Sequence, residues 1–310
     1  MIIWRGGGSR RFPMHRGCSG MKKKDWTENI ICGIFLVLGL IAVGCVLLIS
    51  VYLIISGIPA IREIGVTKFL LGKEWAPTAS QPRYGILPFI LSSIYGTAGA
   101  ILIGVPLGFF TAVYLAKLAP AKIKTVMESV VSLLAGIPSV VYGLVGMMVL
   151  VPGIRKIFNV PDGASLLAAM IVLAIMILPS IIHVSMAALE AVPKEYEDAS
   201  FALGASPLET YFRISVPAAK SGLGAAIVLG VGRAIGEAMA VVMVSGNVAN
   251  MPSLFASVRF LTTAVASEMA YSGGLHREAL FSIALVLFLF IMLINAALHF
   301  FLKGHTANSQ

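Results

Sequence analysis

Charged residues are scarce in this chain. Asp, Glu, Lys and Arg make up 12% of its 310 residues and hydrophobic residues 58%, where soluble domains run near ~25% and ~45–50%. That balance excludes a water-soluble globule and leaves one polytopic membrane domain, with no length to spare for a large soluble one. Cysteine is sparse too: Cys18, Cys32 and Cys45 show no paired or metal-like spacing, so no disulfide framework is expected. No Gly-x-x-x-x-Gly-Lys-[Ser/Thr] loop occurs, so the polypeptide itself is not expected to bind ATP. Neither a His/Cys/carboxylate cluster nor a serine, histidine and carboxylate set is present, which argues against a metal site and an intramembrane hydrolase. There is no internal repeat, and no low-complexity segment beyond a glycine- and arginine-rich start.

That start, residues 1–20, lacks the apolar core of a secretory signal. Met21-Lys22-Lys23-Lys24 reads as the natural beginning, and 1–20 as an upstream extension. Residues 1–28 then form an amino-terminal tail, 29–303 the membrane domain and 304–310 a short carboxy-terminal tail. Apolar runs at 29–61, 84–116, 129–154, 163–189 and 279–302 each exceed the roughly 20 residues that a helix needs to cross the hydrocarbon layer. A sixth, 221 to about 245, is interrupted by Arg233 and Glu237. The chain is therefore expected to be an all-α polytopic membrane protein with six transmembrane helices. Pro88, Pro106, Pro138 and Pro179 fall within or at the edges of spans and predict kinks or breaks there.

A net charge of +9 invites a nucleic-acid reading, yet the basic residues lie between apolar runs and in the tail, where membrane topology explains them. With a cytoplasmic amino end, the inner segments hold Lys22 to Lys24, Lys117, Lys122, Lys124, Lys194, Arg213, Lys220 and Lys303. The outer ones hold Arg62, Lys68, Lys73, Arg83, Arg155, Lys156, Arg259 and Arg277. The triple lysine beside the first span decides the orientation, and both termini fall on the cytoplasmic side. The outer segment 251–278 carries Leu254, Phe255, Val258, Leu261 and Val265 at helical spacing; it either lies along the outer surface or re-enters between spans. His183, Asn295 and His299, polar groups at membrane depth, read as helix-to-helix hydrogen bonds or interface residues. Gly96, Gly99, Gly104 and Gly108 read as packing positions on the second span.

One long polar interval breaks the apolar second half: residues 190–217, on the cytoplasmic side. Pro193 suits the start of a helix, with Glu195, Glu197 and Asp198 at its positive dipole end. Gly204 stops that helix. Ser206, Pro207 and Glu209 then spell a capping box that begins a second helix, ending near Pro217. The result is an elbow with an apolar surface from Ala199, Ala202, Leu203, Tyr211 and Phe212.

The order Asp198-Ala199-Ser200, three residues, Gly204, nine residues, then Ile214-Ser215-Val216-Pro217 resembles the EAA loop of bacterial ABC importer permeases. The usual form there is Glu-Ala-Ala, three residues, Gly, nine residues, Ile-x-Leu-Pro; this chain departs at Asp198, Ser200 and Val216. The resemblance implies that Glu195, Asp198, Ala199, Ser200, Gly204, Ile214 and Pro217 belong to a coupling helix that docks into a cleft of an ATP-hydrolysing subunit. An ordinary cytoplasmic hairpin between two spans would share the same turn chemistry.

Gly230-Val231-Gly232-Arg233-Ala234-Ile235-Gly236-Glu237 is the chain's most unusual chemistry. A charge at the middle of a span costs roughly 2.5–3.5 kcal/mol on insertion scales, so Arg233 should face protein or water. Glu237, four residues on, is placed to pair with it on one helix face, and Gly232 and Gly236 make a small-residue ridge on the adjoining face. Two readings follow. Arg233 presents its donor fork to an oxyanion crossing the membrane while Glu237 holds the fork otherwise; or the pair is permanent and sets helix register.

That run, continued through Glu237-Ala238-Met239-Ala240-Val241 to Ser245-Gly246-Asn247, resembles phosphate importer permeases of the PstC type. So do Tyr84-Gly85-Ile86-Leu87-Pro88-Phe89, Gly136-Ile137-Pro138-Ser139-Val140-Val141-Tyr142-Gly143 and Glu268-Met269. Ala238 stands where that family usually has Thr. The resemblance covers roughly residues 25–303 and implies the six-span, MetI-like ABC permease fold. It implies no enzyme in this chain, but a transmembrane permease subunit of an ATP-driven phosphate importer in the bacterial plasma membrane. It also implies a second permease of the PstA type, a homodimeric ATPase of the PstB type that binds the ATP and Mg, an extracytoplasmic phosphate-binding protein of the PstS type, and a substrate path through Arg233 and Glu237. Another oxyanion such as sulfate or molybdate, or a carrier or channel without ATP, is the alternative reading.

Overall fold

The computed structural model describes residues 26–307, with side chains from 30 to 297. The extension at 1–20, the triple lysine Lys22 to Lys24 and the side chains of His299 and Lys303 lie outside the described residues. The chain divides at Tyr52 into two units. The first consists of the leading part of α1 (Trp26–Ile64), whose side chains from Ile30 to Ile49 are exposed and apolar on every side. A helix apolar all round is one whose solvent is lipid.

The second unit holds everything from Leu53 onward. After α1 come α2 (Val66–Leu71) and a short antiparallel hairpin, β1 (Trp75–Ala76) against β2 (Arg83–Tyr84). Next is α3 (Leu87–Val113), prolonged by a wide π turn at Tyr114–Leu118. Then α4 (Ala121–Gly136) is followed by α5 (Ser139–Val145), which runs through a second π segment, Gly146–Leu150, into α6 (Val151–Phe158). The long α7 (Leu166–Glu190) precedes α8 (Lys194–Ala202) and α9 (Pro207–Thr210). A third π segment (Tyr211–Ser215) leads to α10 (Val216–Ala218). The chain ends with α11 (Lys220–Gly236), α12 (Met239–Val244), α13 (Leu261–Glu268) and α14 (Gly274–Ala307).

Among the described residues, five stretches are long and apolar enough to cross a membrane: Ile30–Ile64, Leu87–Leu118, Ser139–Phe158, Leu166–Glu190 and Gly274–Ala297. A sixth is counted only when the pair Pro207–Ala218 and Lys220–Gly236, bent by 72°, is taken as one span; its first half belongs to the polar interval before α11. Two spans differ from the sequence reading. The third does not run through 129–154 but starts at Ser139. Ile137 and Pro138 have extended backbone, and a proline with no N–H to donate divides α4 from α5. The fifth is interrupted after Gly236, because Glu237 is extended and α12 is a separate short helix. Pro106 and Pro179, by contrast, sit inside continuous helices, and Pro88 takes the first turn of α3.

Helix packing centres on α7, whose buried face runs from Leu166 to Leu189 and meets both α3 and α11. The approach of α3 is close: a Cβ at Gly104 would come within 2.8 Å of Ile177, and one at Gly108 within 2.8 Å of Ile181. These glycines are packing positions, where a bare backbone lets a neighbouring helix approach. His183 of α7 meets the Ser132 hydroxyl of α4 at 3.4 Å, a helix-to-helix contact.

Within segment 251–278, α13 packs against α3, α12 and α14. Leu261, Thr262, Thr263 and Ala264 of α13 are buried, and the Leu261 N–H donates to Ser93 of α3 at 3.0 Å. The same segment completes the amino end of α7, where the first N–H groups of any helix lack intrahelical partners. The amide of Leu166 donates to the Ala256 carbonyl and that of Leu167 to the Leu254 carbonyl. Ser165 donates its own amide to Val244 and caps Ala168 with its hydroxyl.

Candidate functional site

The elbow between α7 and α11 follows its local chemistry closely. Pro193 caps α8, Glu195 and Glu197 lie in its first turn, and Gly204 follows the helix end at φ +84°, a left-handed geometry that glycine adopts without penalty. The Ser206 hydroxyl accepts from the Glu209 amide while Glu209 accepts from the Ser206 amide at 3.1 Å, a complete capping box. Its carboxyl is held below the usual carboxylate range by the Ser206 N–H first and the Ser206 hydroxyl second, with Arg213 adding charge.

Across the elbow, Ser200 and Thr210 hydroxyls bond at 2.9 Å and join α8 to α9. Ser200 is therefore half-buried and structural, while Glu195, Asp198, Ala199 and Pro217 are exposed and Ile214 sits at the edge of exposure. Leu203 at the tip is 90% exposed, and Tyr196, Leu208 and Phe212 of the same elbow are exposed as well.

At the second candidate site the sequence expectation needs correcting. Arg233 and Glu237 are not ion-paired. The helical spacing that would bring them together ends at Gly236, so the Glu237 side chain leaves the helix surface and its Oε1 accepts from the Ala240 amide at 3.0 Å, capping α12. Its carbonyl accepts from Thr262 at 2.8 Å. Arg233, in the last turn of α11, donates through Nη1 to the Ser180 hydroxyl of α7 at 3.0 Å. Among the described residues that is its one hydrogen-bonded side chain, for a group with five N–H donors. Arg233 is half-buried and lies beside the interruption of its own span.

The other interruption, at Ile137-Pro138, is close to this one. α5 packs on α12, where a Cβ at Gly143 would come within 2.8 Å of the Ala240 Cα. Tyr142 closes the third-span break, its hydroxyl donating to the Leu134 carbonyl at 2.8 Å. Among the described residues nothing lies within 4 Å of where a Cβ would stand on Gly136, Gly232 or Gly236.

A polar cluster that sequence reasoning missed joins β1, the loop after α12, α13 and α14. Glu268 accepts from Arg259, from the Trp75 indole at 3.1 Å and from His276 at 2.8 Å. Arg259 also donates to the Asn247 carbonyl through Nε at 3.0 Å and Nη2 at 2.8 Å, and stacks over Phe89. Its partners lie up to 193 residues apart, so no local pattern reveals them. The signal available was Glu268, which stood out only as half of the Glu268-Met269 motif.

Residues 104–304 match the family model of binding-protein-dependent transport system inner membrane components. The chain belongs to that family. The permease is 42% identical over 265 residues to the probable ABC transporter permease protein YqgH of Bacillus subtilis, covering 83% of this chain and 86% of that one. It is 32% identical over 285 residues to the phosphate transport system permease protein PstC of Haemophilus influenzae, covering 86% and 90%. Its fold is that of MetI-like ABC permeases: the MetNI methionine ABC transporter in an inward-facing conformation matches with a TM-score of 0.56 at 19% identity, over 71% of this permease and 96% of that chain. The permease is thus an all-α, multi-pass ABC importer subunit, and its relatives are transport components rather than ATPases.

Proposed function

We propose that the permease forms half of the substrate path of an ATP-driven phosphate importer. The observation that supports this reading is Arg233: an always-protonated donor fork at a break in a membrane span, bonded among the described residues to a single hydroxyl. A guanidinium with free donors is suited to an oxyanion, which it can grip through two parallel hydrogen bonds. Glu237, tied back onto α12, leaves that fork uncompensated and keeps the broken end of the span in shape. Interrupted spans of this kind are where transporters gather substrate sites, because backbone freed from the helix ladder lines a cavity.

In this reading the complex contains a second permease of the PstA type, whose packing would cover the open ridge of Gly232 and Gly236. It also contains a PstB-type ATPase homodimer, which binds ATP and Mg, and a PstS-type phosphate-binding protein outside. The exposed elbow, with Asp198 and Leu203 at its surface, docks in the ATPase. Both termini and the elbow are cytoplasmic in a bacterial plasma membrane. Closure of the ATPase pair then moves the elbows and tilts the spans, opening the path to alternate sides. In this reading the nucleotide and its Mg sit on the ATPase rather than on this chain.

The test is uptake of labelled phosphate in cells with and without the permease, with sulfate and molybdate as competitors. Uptake that depends on the permease and resists both competitors supports phosphate. Displacement by sulfate or molybdate transfers the reading to that anion, and uptake independent of ATP removes the importer.

A further inference from the structure

Beneath the exposed elbow lies an ion pair that the elbow motif does not contain. Lys117, in the π turn that ends the second span, places Nζ 2.6 Å from Oε1 of Glu197 on α8. The two side chains are only 10% and 13% exposed. The same oxygen accepts from the Ser215 hydroxyl at 2.7 Å, and Ser215 is fully buried in the π segment that follows α9. One carboxylate thus joins the second span, the first elbow helix and the second.

Both partners of Glu197 come from π segments. A π turn inserts one residue into a helix and rotates whatever follows, and such turns recur at functional positions. Here they bring Lys117 and Ser215 round to one point. Around that point Val113, Leu189, Val192, Ala219 and Leu223 form an apolar cluster joining the end of the second span to both roots of the elbow. Glu197 is neighbour to Asp198, yet Asp198 faces out while Glu197 faces in. Burial opposes the charge on Glu197, but the hydrogen bonds and charge of Lys117 with the Ser215 hydroxyl outweigh it and hold the carboxyl below its ordinary range.

We propose that Glu197 is a positioning residue that carries movement of the elbow into the second span through Lys117, so that force applied at the docking surface reaches the substrate path. The proposal rests on the importer reading. A docked elbow held only by its chain connections could rock without moving the spans. A buried ion pair resists this because separating it strands a charge away from water.

The experiment uses the whole complex, with ATPase subunits and binding protein, in proteoliposomes, measuring phosphate uptake and ATP hydrolysis together. For Glu197→Gln and Lys117→Met, uptake is expected to fall roughly tenfold while hydrolysis stays within about twofold, a loss the size of a typical coupling between sites. Lys117→Arg retains uptake. The exchanged pair Lys117→Glu with Glu197→Lys recovers most of it, which also answers the case in which a single variant fails to assemble. Uptake and hydrolysis falling in parallel with the ATPase still bound, unchanged uptake in the single variants, or no recovery in the exchanged pair would each overturn the clamp. An unmodified complex that hydrolyses ATP but moves no phosphate would instead overturn the importer reading, and the clamp with it.

Discussion

The elbow and the broken fifth span organise their polar residues in opposite ways. In the elbow, partners are close in sequence: Ser206 with Glu209, Ser200 with Thr210, the Gly204 turn with the helix it ends. At the break, partners are distant: Arg233 with Ser180, and the Glu237 carbonyl with Thr262. The elbow's turns are closed by local contacts, with Lys117 to Glu197 as its buried tie to a span. The break is shaped by helices around it and so responds when they shift.

That contrast can be broken most sharply at Arg233. Arg233→Gln should lower labelled phosphate uptake by about tenfold to a hundredfold, the value of a hydrogen bond to a charged group, with the protein still inserted at normal levels. Uptake at the wild-type rate would remove the residue from the path. Next in size is Gly204→Asp. A side chain at φ +84° costs about 1–2 kcal/mol, so recovery of the ATPase subunit on purification should fall by roughly fivefold or more. Unchanged recovery would show that the turn does not shape the docking surface.

Glu237→Gln should have a smaller effect, less than about threefold on uptake, because the amide oxygen still accepts from Ala240. A large loss would mean that the negative charge, rather than the cap, is what the path uses. The smallest effect is on the elbow's own pH response. Because Glu209 has a lowered carboxyl pKa, its contribution to the capping box is complete above the ordinary carboxylate range. It is lost as pH falls through the folded value. Hydrogen exchange at the Ser206 amide, corrected for its intrinsic rate, should accelerate only once the pH falls below the ordinary carboxylate range; acceleration near neutral pH would contradict the assignment.

The same contrast explains what could be read from the sequence. Helical class and the elbow were legible because span length, a proline at a helix start, a glycine at a helix end and Ser-x-x-Glu act over a few residues. The break at Pro138 was legible from the proline itself, although the third span was still drawn through 129–154; the turn at Gly236-Glu237 was not, because Arg233 and Glu237 were read as lying on one continuous helix. The pairing of Arg233 with Glu237 failed for the same reason: spacing of four predicts contact only while the helix lasts. Lys117 with Glu197, and Arg259 with Glu268, Asn247, Trp75 and His276, depend on packing between distant segments. No periodicity reports such pairs.

The amino end of α7 has a consequence for how this protein is made. Its first amides rest on carbonyls of Val244, Leu254 and Ala256, which leave the ribosome some eighty to ninety residues later. During synthesis the fourth span therefore waits in the membrane with its entrance unfinished, and a nascent chain stopped short of Val244 cannot complete it. Residues in the last quarter of the polypeptide thus close a helix that was made well before them.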